Sequence, residues 1–217
     1  MIDALRKQIT SPVFSPKILR IEDFVGTLSG LKHTDSIEVL FEFYQVYVNE
    51  CKQEEPQTFE IFANWGKTLL QDFNEIDRYL IDPNKILKYL DDIEEIKHWS
   101  VTAEPKSELV KKHLDFWKLL PNYYASLYKH LLQKKRGYQG MIYRQALIKL
   151  KENISDFQKK KIIFAGFNAL NAAEETIFQE LQINANAKIY WDIDEYFLLD
   201  SGHDAGLFIR KYKRNWS

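Results

Sequence analysis

One stretch limits the fold more than any other: KIIFAGFNALNAAEETIFQELQ at residues 161–182, followed by AKIYWDID at 187–194. An apolar, β-prone run meets Gly166, an asparagine-rich turn follows, and Asn171 is a good N-cap for the helical AAEETIFQELQ. A strand, a helix and a strand joined by connections this short pair in parallel, with a right-handed crossover. The outline is that of a nucleotide-binding unit. Yet Ala165, Gly166 and Phe167 stand at the strand's end, where a nucleotide-hydrolysing site would place an acid.

The rest of the chain reads as helical. Eight glycines and six prolines in 217 residues are too few for a turn-rich all-β protein. Residues 17–21 look strand-like, and a short helix from about Glu22 ends at Gly30 in a left-handed cap. Over residues 35–51, Ile37, Leu40, Phe41, Tyr44 and Val48 recur at helical spacing behind a cap at Asp35 or Ser36, predicting a core-facing stripe. Phe59, Phe62, Leu69, Leu70, Phe73, Ile76 and Leu80 mark another, which stops before Asp82 and Pro83. A third helix follows the proline, with His98 and Trp99 at its fraying end. Residues 106–120 form the next, Pro121 starts or kinks another, and 141–157 supply one more. The predicted fold class is therefore α/β, mostly helical. A parallel sheet is drawn from both chain ends, residues 1–51 and 158–217, around a helical insertion over 52–157.

Cys51 is the only cysteine, which excludes an intramolecular disulfide framework and a Cys-rich zinc site. No signal-peptide pattern and no apolar run long enough to span a membrane occur, so the cytoplasm is the expected location. The formal net charge of −1 hides a strong asymmetry. Residues 50–97 hold twelve Asp and Glu against six Lys and Arg, a balance of −6; residues 106–161 hold four against fourteen, a balance of +10. The densest points are Lys134, Lys135 and Arg136, then Lys159, Lys160 and Lys161. Clustered positive charge is the footprint of a polyanion partner, and its rival explanation is a solvated helical face.

Familiar chemical motifs are weak or misplaced. Gly66, Lys67 and Thr68 copy the end of a phosphate-binding loop, but position 61 is Ile where the loop requires glycine, and a helical pattern runs through the whole segment. Glu95 and Lys97 mimic the acid-x-lysine end of a metal-dependent nuclease, again on a helix, where they read as surface pairs. His33, His98, His113, His130 and His203 lack metal-ligand spacing. Asp192, Asp194 and Glu195 end a strand without a phosphate loop to serve. Of the aromatic residues, Tyr138 and Tyr143 lie near basic clusters and are the candidates for stacking.

Taken together, IIFAGFNALNAAEETIFQEL, AKIYWDIDEYFL and HDAGLFIRKY resemble the helicase-like subunit of bacterial AddB/RexB-type helicase-nucleases, in their Bacteroidetes-like form. PKILRIEDFVGTLSG is similar to the strand-to-helix segment of the first motor domain, and NWGKTLLQDFNEIDRYLID to the helical insertion after it. The resemblance implies a superfamily I helicase fold whose first RecA-like domain carries that insertion. It also implies that Ala165, Gly166 and Phe167 are a degenerate motor motif, replacing the Asp-Glu pair that holds magnesium in an active motor. Complete members carry a phosphate loop, a second motor domain and a C-terminal nuclease domain, so the resemblance makes this chain a fragment of the first motor domain without a catalytic site or resident cofactor. ATP and Mg2+ belong to the parent. Two functions are expected from different classes. In the first, a DNA-engaging scaffold of double-strand break repair makes phosphate contacts through Lys134, Lys135, Arg136, Tyr138, Lys159, Lys160 and Lys161. In the second, a helical interaction module docks a partner subunit without touching DNA.

Overall fold

Local signals place most of the elements. The computed structural model describes residues 7, 14–51, 56–97 and 108–216. In chain order these are α1 (Ile21–Ser29), β1 (Lys32–His33), α2 (Ser36–Glu50), α3 (Phe59–Arg78), α4 (Pro83–Lys97) and α5 (Glu108–Gln133). Then follow β2 (Arg136–Gly137), α6 (Gln139–Glu152), α7 (Ser155–Gln158), β3 (Lys161–Phe167), α8 (Ala172–Asn184) and β4 (Asn186–Trp191). Helix α9 (Glu195–Leu199), a single 3-10 turn (Asp204–Gly206) and α10 (Leu207–Asn215) close the described chain. His98, Trp99 and Lys106 lie outside the described residues. The described residues are mostly helical, with two small parallel strand pairs.

The β-α-β unit forms as its sequence dictates. Strands β3 and β4 pair in parallel from Lys161 opposite Asn186 to Phe167 opposite Trp191. The register slips between Ala165 and Phe167, where Gly166 adopts φ +81°, a backbone state that glycine enters without a Cβ penalty. Asn171 caps α8 in a reciprocal capping box: its Oδ1 accepts from Glu174 N–H at 2.9 Å, while its own N–H donates to Glu174 Oε2 at 3.0 Å. Helix α8 then covers one sheet face, with Phe178 stacked on Phe164 at 3.8 Å between ring centroids.

The N-terminal expectation is not met. Residues 17–21 form no strand; the chain is irregular until α1 starts at Ile21, where Arg20 pairs with Asp23 at 3.1 Å. Among the described residues, the sheet of β3 and β4 therefore takes no strand from the N-terminal part. Instead the two-residue β1 pairs with β2, Lys32 opposite Arg136 and His33 opposite Gly137. The expected left-handed cap at Gly30 is present, at φ 69°.

Helix α2 turns its core-facing stripe away from the one its sequence points to. Val39, Phe43, Val46 and Tyr47 enter the core; of the expected stripe, Leu40 and Tyr44 pack against it half-buried, while Ile37, Phe41 and Val48 are exposed. Both faces carry apolar residues at helical spacing, and the choice falls to Phe43, which finds Phe62, Phe73 and Tyr123 at 5.1–6.1 Å. Helix α5 likewise runs through Pro121 as one element instead of breaking there. One hydrophobic core joins α1 through α6 to β3, α8 and β4. Helix α6 is its centre, packed by α1, α3 and α8 together.

Candidate nucleic-acid interface

Three kinds of surroundings receive the basic residues. At the turn between α5 and β2, Lys134 Nζ donates to Glu42 Oε2 at 2.5 Å, and His130 Nε2 meets the same oxygen at 2.6 Å. Burial works to raise the Glu42 pKa, but the two basic neighbours outweigh it and hold the carboxyl below its ordinary value. Arg136 reaches Glu38 at 3.5 Å. The turn thus shares its charge with the acids of α2. Lys135, at φ 53° in the tight turn, has no acid partner among the described residues.

Tyr138 is a core residue. It is only 8% exposed, and its hydroxyl donates to Asp77 Oδ2 at 2.5 Å. Asp77, at 0% exposure, also accepts from Tyr124 Oη and Arg144 Nε, both at 2.5 Å to Oδ1. The Arg144 guanidinium further donates to the carbonyls of Ile76 and Ile81, tying α6 to the end of α3. Burial pushes the Asp77 carboxyl up, opposed by these three donors, and raises the Tyr138 and Tyr124 hydroxyls; Tyr128, beside them, is pushed up to about 12. Tyr143 is also buried and donates to Glu174 at 2.9 Å. This network is a polar keystone of the core rather than a surface for ligand.

The third environment is open. Lys159, Lys160 and Lys161 are exposed at the entry to β3, with Lys160 Nζ 4.5 Å from the Phe157 ring centroid and no acid partner for any of the three among the described residues. In a parallel pair, residues in register share a face. The side away from α8 therefore carries Lys161, Ile163 and Ala165 from β3, beside Asn186, Lys188 and Tyr190 from β4, every one of them exposed. Lys188 has no acid partner among the described residues, and Tyr190 is 57% exposed. The result is an exposed face with two lysines, Lys161 and Lys188, that lack acid partners among the described residues, beside the exposed ring of Tyr190.

The two basic clusters are not brought together. They flank opposite ends of α6, whose 14 residues span about 21 Å at 1.5 Å per residue. The sequence reading did not single out Lys188 and Tyr190, although the alternation in AKIYWD, aligned with KIIFAG, is the signal that locates them. Ala165, Gly166 and Phe167 occupy the bulged end of β3, with Phe167 packed edge-on against Phe178 at 4.9 Å. Asp194, near the same end of the sheet, caps α9 by accepting from Tyr196 N–H at 2.8 Å. The motif Gly66, Lys67, Thr68 lies inside α3, and Glu95 in α4 pairs with Lys118 at 2.8 Å. Among the described residues, no group of three His, Cys, Asp or Glu side chains is placed to hold a metal, and no helix is long and apolar enough to cross a membrane. Comparisons with family models, with curated proteins and with solved structures find no match to this chain.

Proposed function

We propose that this chain is a DNA-engaging scaffold, acting in the cytoplasm as part of a helicase-nuclease that processes double-strand breaks, with a RecA-like but degenerate motor motif at Ala165, Gly166 and Phe167. The observation that carries the DNA contact is a group of cations without acid partners among the described residues: Lys161 and Lys188 on the open sheet face, with Lys159 and Lys160 just before β3. Such charges neutralise phosphates without reading bases, and Tyr190 adds a ring on which one base stacks. Lys135 supplies a further contact at the far end of α6, while Lys134 and Arg136 are partly neutralised by Glu42 and Glu38. The helicase-nuclease assignment rests on the sequence resemblance.

Fluorescence anisotropy with labelled oligothymidylate and duplex DNA tests the reading. The double variant Lys160→Glu, Lys188→Glu is expected to lose about tenfold or more in affinity, while Lys134→Glu loses less. Equal binding by the folded double variant would move the site elsewhere. A second reading, docking of a partner subunit without DNA contact, is favoured by the exposed apolar stripe Ile37, Phe41 and Val48 on α2, where Phe41 stacks on Phe59 at 4.6 Å. Stable co-purification with that subunit and no DNA affinity at low salt is its signature.

A further inference from the structure

The outer edge of β4 is a built groove with no occupant assigned by the reading above. Strand β4 pairs with β3 alone, and its other edge presents backbone donors and acceptors with no partner among the described residues. A recess of about 450 Å³ runs along that edge. Ile189, Tyr190 and Trp191 all line it although alternate residues point to opposite faces, so the recess follows the edge and not a face. Its far wall is α10, contributing Tyr212 and Lys213, with Trp216 at the helix's C-terminal cap.

That wall is held firmly. The Arg210 guanidinium donates to the carbonyls of Phe197, Asp200 and His203 at 2.6–2.7 Å, and Trp216 Nε1 donates to Glu175 at 3.1 Å. Tyr212 Oη accepts from Leu170 N–H at 2.8 Å. The aromatic rings are already spent on one another: Trp191 stacks on Tyr212 at 5.2 Å, and Trp216 lies 5.0 Å from Tyr212. They form an apolar wall, not a platform for a nucleic-acid base. Among the described residues, Lys213 is the sole charged side chain lining the recess, and it has no acid partner there.

We propose that this groove binds an extended segment of another protein that alternates acidic and apolar residues, adding it to β4 as a further strand. Main-chain hydrogen bonds to the open edge supply affinity, the aromatic wall takes an apolar side chain, and Lys213 selects a carboxylate. A second copy of this chain fits less well, because two β4 edges facing each other would set both copies of Lys213 against one groove.

The test uses the full chain and three labelled probes: a ten-residue peptide alternating glutamate with valine around one phenylalanine, the same peptide with lysine for glutamate, and oligothymidylate. The glutamate peptide is expected to bind about tenfold tighter than its lysine counterpart and to slow amide exchange at residues 187–191. Lys213→Glu reverses that preference, whereas Lys160→Glu leaves it intact, which separates this groove from the DNA face. Absent binding, equal binding of the two peptides, or binding without protection of β4 overturns the proposal. So does displacement of the peptide by oligothymidylate, or slow exchange at 187–191 that appears with protein concentration alone, which would assign the edge to a second copy.

Discussion

Asp77 is where single side chains matter most to this fold. Removing its carboxylate leaves Arg144 and two buried tyrosine hydroxyls without their acceptor, so Asp77→Ala is expected to cost about 3–5 kcal/mol in urea unfolding. Gly140 is equally constrained: a Cβ there would meet the Asn74 carbonyl oxygen at 2.2 Å, and Gly140→Ala should cost about 1–3 kcal/mol. Glu42 makes the fold sensitive to acid. Its carboxyl sits below the ordinary 4.5 when folded, so its contribution is present above that value and is lost as pH falls through the lower folded value. Glu42→Gln is expected to cost about 1–2 kcal/mol at neutral pH, discounted for the partly exposed Lys134, and to flatten the decline below pH 4.5 in thermal melts across pH. None of these contacts was legible in the sequence. Lys134 and Glu42 are 92 residues apart, and Tyr138 and Asp77 are 61 apart.

What local chemistry decides was legible in the elements. The caps at Gly30, Asp35 and Asn171 and the whole β-α-β unit follow from residues within a few positions of one another. Helix α2 shows where that reasoning stops. Its two faces have equivalent spacing, and only distant partners in α3 and α5 settle which is buried. Phe43→Ala is accordingly expected to cost about 3–5 kcal/mol, and Ile37→Ala to change stability by no more than about 0.5 kcal/mol, both by denaturant unfolding. A reversal of that order would restore the face first read from the sequence. The same limit applies to residues 17–21, whose strand-like composition meets no neighbouring strand, and to Pro121, which α5 absorbs within its packed length.

Across the whole molecule, the basic half of the chain separates into cations that have acids and cations that do not. The sequence shows the lysine runs but not which of them are paired, because Glu38 and Glu42 reach the first cluster from α2 and, among the described residues, no acid reaches the second. Lys188 joins the free set only through strand register. The most direct test of the DNA-scaffold account is the salt dependence of oligothymidylate binding by the folded chain and by its Lys160→Ala, Lys188→Ala variant. The account expects a steep fall of affinity with salt, and a slope shallower by about 0.7 for each lysine removed. An unchanged slope, or binding indifferent to salt, would contradict it.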